Sequence, residues 1–150
     1  MSKAEQKPFS QTKKLGEMAE LRVKWWLREE HPTLRKIEGE FSGYDLIDDE
    51  GYKVEVKLDL ESSNTGNIAI EYSSMGKKTG IAITTADDWV HIFSYQNRWL
   101  YLVVGVGELK EFLANNWNTL RKTSGGYKGY SMMVLVPTEL VVKEFRPHSV

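Results

Sequence analysis

Apolar residues Leu15, Met18, Ala19, Val23, Trp26 and Leu27 recur at helical spacing. They predict an amphipathic helix over 11–30, stopped by Pro32. The period then changes. Val54, Val56 and Leu58 alternate with Lys53, Glu55 and Lys57, the signature of a strand with one apolar face. Two antiparallel strands are expected, at 44–47 and 52–58, joined by the turn chemistry of "DDEG". A short strand at 34–38 precedes them. Further strands are expected at 68–74, 81–84, 98–105, 131–137 and 140–145. "TTADDWVHIF" opens with a threonine followed three residues later by an acid, a capping box that predicts a short helix. Leu109, Phe112, Leu113, Trp117 and Leu120 mark a second long helix. The stretches 61–67, 75–80 and 122–130 read as loops or turns. The succession of helices and strands predicts an α/β fold, a mixed central β-sheet flanked by helices. Residues 1–10 are polar, contain Pro8 and lack periodicity, so they read as a flexible tail ahead of a single domain at 11–150.

Composition narrows the picture. The 150 residues suit one core, and five tryptophans and seven tyrosines supply bulk for it. A formal net charge of −1 argues against a uniformly basic surface, although Lys3, Lys7, Lys13 and Lys14 cluster at one end. The absence of cysteine excludes disulfides, thiolate chemistry and cysteine-bound zinc. No apolar run approaches the ~20 residues of a membrane span, and no apolar leader is visible at the N-terminus. A cytoplasmic protein with no membrane partner is the expectation.

The hairpin holds an anomaly. Aspartate is depleted in strands, yet Asp45 stands between Tyr44 and Leu46. With a five-residue connection Asp45 lies across from Glu55, and opposed Cα atoms are about 4.5–5.5 Å apart. Facing carboxylates repel, and a bound cation removes that cost. Hard ions such as Mg²⁺ take oxygen ligands and use only one or two carboxylates while keeping waters. On the first helix Glu20 falls at the border of the apolar face, four residues after Gly16. Gly16 leaves room beside it, at a helix cost of about 1 kcal/mol relative to alanine. Glu17 competes with Glu20, and Asp48 and Asp49 compete with Asp45. The spacing from Gly16 favours Glu20, and the turn chemistry around Asp48 and Asp49 favours Asp45.

"GEMAE", "GYDLI" and "VEVK", in this order and spacing, resemble the PD-(D/E)XK nuclease superfamily, which includes restriction endonucleases, small phage-type nucleases and Holliday-junction resolvases. The match covers residues 16–58, with Tyr44 in place of the eponymous proline. The resemblance implies a restriction-endonuclease-like fold and a metal-dependent DNA endonuclease, structure-specific or weakly sequence-specific. It implies Glu20, Asp45, Glu55 and Lys57 as the catalytic set. Mg²⁺ or Mn²⁺ would be held by Asp45, Glu55 and the Val56 carbonyl, with Glu20 acting through water. It further implies DNA as partner and a homodimer, the arrangement in which two sites cut two strands. The alternative is a non-catalytic nucleic-acid- or protein-binding module on the same fold.

Four lysines outside the motif are expected to touch nucleic acid: Lys77 and Lys78 in "GKKTG", and Lys122 and Lys128 in "KTSGGYKGY". Glu71 is a further candidate acid. His31, His91 and His148 are too scattered in sequence to suggest a histidine metal site.

Overall fold

The computed structural model describes residues 9–38, 43–125 and 127–150. The chain opens with α1 (Phe9–Trp26), then β1 (Arg35–Lys36), β2 (Leu46–Ile47) and β3 (Lys53–Leu58). A short helix α2 (Ser62–Thr65) leads into β4 (Asn67–Ser74) and β5 (Lys77–Lys78). After a 3-10 turn at Gly80–Ala82 come β6 (Asp88–Tyr95), β7 (Arg98–Gly105), α3 (Val106–Asn115) and β8 (Arg121–Gly125). Another 3-10 turn, Tyr127–Gly129, precedes β9 (Ser131–Pro137), α4 (Thr138–Phe145) and β10 (His148–Ser149). The strands form two sheets, β1-β2-β3-β6-β7-β10 and β5-β4-β9-β8. The first is mixed, because β3 runs parallel to β6 but antiparallel to β2.

Each face of the first sheet has its own apolar cluster. Ala19 and Val23 of α1 pack with Leu34, Leu46, Val54, Val90 and Ile92. The other cluster joins Trp89, Phe93, Leu100, Leu102 and Val104 to Ile68, Ile70, Val134 and Val136 of the second sheet and to α3 and α4. Strand β6 is therefore buried on both sides from Trp89 to Phe93.

That double burial explains one departure from the sequence reading. The segment 84–93 is not a helix. A strand covered on both faces shows a continuous apolar run without alternation, which a short helix can imitate. Its threonine serves a turn instead: Thr84 Oγ1 donates to the Gly43 carbonyl at 2.8 Å and accepts the Ala86 N–H at 3.2 Å. Residues 81–84 do not form a strand either. Gly80 has φ +53°, and a side chain there would collide with the Glu71 backbone, so the chain folds tightly against β4. Residues 140–145 form helix α4 rather than a strand. Their valines suggest β-structure, but Thr138, Val141 and Phe145 share one helical face, and the first two are buried. The expected loop 122–130 begins as an edge strand, with Arg121↔Leu135 and Thr123↔Met133 in register. The expected loop 61–67 contains α2, and α1 stops four residues before the predicted 30. The first eight positions of the expected 1–10 tail lie outside the described residues, while Phe9 and Ser10 already belong to α1.

Candidate metal centre

The hairpin register is the one a five-residue connection gives: Leu46 pairs with Val54 and Ile47 with Lys53. Asp48 sets it. Its Oδ1 accepts the N–H groups of Glu50 (3.0 Å) and Tyr52 (2.8 Å), closing the turn from inside. Asp48 is thus a turn residue, and Asp49 pairs with Arg35 at 2.8 Å. Asp45 stands just past the last paired rung. Its N–H bonds the Val54 carbonyl at 2.8 Å, and its Oδ2 accepts the Val56 N–H at 2.7 Å. Because a strand residue directs its N–H and C=O to the same side, the Val56 carbonyl also faces Asp45, beyond the end of β2.

Glu55 and Lys57 project from the face opposite α1. Glu55 is only 7% exposed, and Lys57 Nζ lies 3.2 Å from its Oε1. Glu20, on α1, is near enough for its charge to act on Glu55 and for that of Asp45 to act on it. Its Oε2 is buried without a hydrogen bond, and Lys36 Nζ lies 3.6 Å away as an ion pair only. Glu17 is the more exposed of the two helix acids and shares Lys36 at 3.4 Å. The space beside Gly16 is open, and an added methyl group would touch nothing. Close contact therefore does not require the glycine.

The charges act on one another. Burial raises the pKa of Glu55 to about 7, with Asp45 adding to the rise and Lys57 opposing it. Burial and then Asp45 also raise Glu20. Burial raises Asp45 itself, against the pull of the Val56 N–H and Lys57. Burial and the neighbouring carboxylates together hold Glu20 and Glu55 above their ordinary range. Among the described residues no three His, Asp or Glu side chains stand close enough to form a complete metal cage. The candidate donors are the Asp45 and Glu55 carboxylates and the Val56 carbonyl, all oxygen, the donor type that Mg²⁺ takes.

A second network lies beside Lys57, and the sequence reading missed it. Trp89 Nε1 donates to His91 Nδ1 at 3.1 Å, and His91 Nε2 lies 3.1 Å from Asp59 Oδ2. Indole N–H can only donate, so in neutral His91 the proton sits on Nε2 and points at Asp59. Asp59 Oδ2 also accepts the Ala69 N–H at 2.9 Å. Burial works against the Asp59 carboxylate, but His91 and the Ala69 N–H outweigh it and hold its pKa below 3.8. The network ties β3 to β6 and β4, and it fixes Trp89, whose ring lies 5.7 Å from Lys57 Nζ. Asp59→Ala is expected to cost about 2–4 kcal/mol by leaving two polar hydrogens without an acceptor. The midpoint of urea unfolding measures it. The alternation Glu55, Lys57, Asp59 was a signal for this residue, since all three share a face.

The other expected residues stand on other elements. Glu71 lies on β4. Lys77 and Lys78 are exposed on β5, and Lys78 borders a separate groove against α3 with Lys110 and Trp117. Lys122 donates to the Trp117 carbonyl and lies 4.5 Å from the Trp117 ring. Lys128 is exposed in the turn before β9. Arg121, the neighbour of Lys122, lines a cleft of about 920 Å³ that Lys57 also borders. The described part of the chain has no helix long and apolar enough to cross a membrane. No protein-family model matches this sequence, and no curated protein matches it either.

Proposed function

We propose that the chain is a metal-dependent DNA endonuclease with a restriction-endonuclease-like fold, cutting with structural or weak sequence preference. The observation that carries the reading is the coupling of Asp45, Glu55 and Lys57, whose charges act on one another, with Glu20, ion-paired to Lys36, acting on them from α1. Asp45, Glu55 and the Val56 carbonyl would hold Mg²⁺ or Mn²⁺, and Glu20 would act through a water. A divalent ion there lowers the pKa of bound water and neutralises phosphate charge. Lys57, on the same strand face as Glu55, orients the attacking water and offsets negative charge building on the phosphate. Water adds across one P–O bond, leaving a phosphate monoester and a hydroxyl.

The cleft bordered by Lys57 gives the substrate a path. Leu58, Met133 and Leu135 form an apolar lining, and Arg121 stands at its border without an ion pair among the described residues. Arg121→Ala is expected to weaken DNA binding about tenfold and to lower the salt slope by about one. Fluorescence anisotropy in EDTA, where no cleavage occurs, measures both.

The deciding test is incubation with supercoiled, linear, single-stranded and branched DNA, with and without Mg²⁺ or Mn²⁺. Cleavage that needs the metal supports the reading. Intact DNA in every combination would replace it with a binding module whose acids are structural.

A further inference from the structure

The second sheet turns one face to the core and keeps an apolar floor on the other. Ile68 and Ile70 of β4 and Val134 and Val136 of β9 are buried in the core, so the residues between them point away from it. Directly opposed residues share a face, and the pairing sets them in rows. Ala69, Leu135 and Arg121 form one row, and Glu71, Met133 and Thr123 form the next. Met133 and Leu135 are only half-buried. Met133 lies across the sheet beside Gly125, where any side chain would collide with its Cε. Both rows except Glu71, together with Leu60 at 36% exposure, line the cleft of about 920 Å³ that Lys57 and Asp59 also line.

This lining is wrong for a duplex. Duplex DNA presents rows of phosphates and keeps its bases stacked inside, so its partners are rich in cations. Here Lys57 and Arg121 are balanced by Asp59 and Glu61, and Glu71 adds a negative charge beside Met133. An unpaired strand offers what a duplex hides: flat base faces that bury against apolar side chains, and base edges that both donate and accept. The thioether of Met133 suits flat rings, and a carboxylate such as Glu61 accepts from an exocyclic amino group. We infer that the cleft holds an unpaired stretch of DNA, its bases against Met133 and Leu135 and its backbone passing Arg121 toward Lys57. The choice of DNA as occupant rests on the reading of Lys57 given above. The floor itself does not, since Met133, Leu135 and Arg121 lie outside the 16–58 pattern.

Fluorescence anisotropy of the metal-free full chain in EDTA tests it, with a labelled single strand of about 12 nucleotides and the blunt duplex of the same sequence. The single strand binds about tenfold more tightly than the duplex at equal salt. Met133→Ala with Leu135→Ala weakens single-strand binding about tenfold and leaves duplex binding and the thermal melt unchanged. Leu135→Trp, which adds a ring for a base to stack on, tightens single-strand binding. If the double alanine variant unfolds, the tryptophan variant decides, together with ultraviolet crosslinking of a strand that carries iodouracil. The crosslinked peptides then come from β8 and β9. Equal affinity for the two forms, no single-strand binding up to about 100 μM, or an affinity indifferent to positions 133 and 135 would overturn the proposal. Cleavage is scored separately. Single-strand preference in EDTA without cutting in any metal keeps the cleft and removes the nuclease. Metal-dependent cutting of duplex without that preference does the reverse.

Discussion

Lys57→Ala should fold, bind DNA as tightly as wild type to within a few-fold, and cleave it about 10²–10⁴ times more slowly. The side chain is partly exposed and contributes little to either apolar cluster, so the fold does not depend on it. Its ammonium group offsets Glu55 at 3.2 Å and is the charge that lowers Asp45 most. In the proposed mechanism, removing it would spare the carboxylates that hold the cation but take from the attacking water and the phosphate their nearest cationic neighbour. Single-turnover cleavage on saturating DNA isolates the chemical step, and a filter-binding assay in EDTA isolates affinity. Cleavage at the wild-type rate would remove Lys57 from the mechanism. Loss of binding in proportion to cleavage would assign it to substrate capture alone.

The second large effect is a stability that depends on pH and divalent metal together. Glu55 ordinarily titrates near 4.5, but burial, followed by Asp45, moves it to about 7 in the folded chain. Below pH 4.5 the carboxyl is protonated in both states and contributes nothing. Between 4.5 and 7 the unfolded chain gives up the proton while the folded chain keeps it, so stability falls as pH rises. Above 7 the loss is complete, about 3 kcal/mol for this one group. Glu20 and Asp45 are raised as well and pull in the same direction. Asp59 is lowered and pulls the other way, its contribution disappearing only in acid below about 3.8. Metal-free protein should therefore melt at a higher temperature at pH 5 than at pH 8. Millimolar Mg²⁺ at pH 8 should recover most of the difference, because an ion that binds only the folded state stabilises it by mass action. Asp45→Asn, with one negative charge fewer, should flatten both responses. Differential scanning calorimetry with and without EDTA reads all three, and identical melting at both pH values would mean that the carboxyl groups do not crowd one another.

The hairpin was legible because local chemistry fixes it. The Asp48 side chain closes the turn and Gly51, at φ +87°, completes it, so the turn could be placed from the sequence, while the structure decides for the five-residue loop over a four-residue one. Helix α1 was legible from its buried positions Ala19 and Val23, although Met18 of the same periodic set is exposed. Strand β6 was not, because burial on two faces erases the alternation that identifies a strand. Edge strand β8 was missed for the opposite reason: its polar run resembles a loop until β9 pairs with it. The acids of the candidate site lie on elements close in sequence, where one short pattern can name all of them. Lys36, His91 and Arg121 act across elements far apart in sequence, where spacing carries no information.

The parallel pairing of β3 with β6 has a consequence for how the chain acquires its chemistry. Lys53 binds Asp87 across 34 residues, and α2, β4 and β5 must all be made before β6 can support the strand that carries Glu55 and Lys57. Such long-range pairing is slow compared with hairpin closure. A growing polypeptide would form the β2–β3 turn early but would not fix its acids in place until β6 had left the ribosome and docked. The placing of Glu55 and Lys57 is therefore completed only when biosynthesis is well advanced.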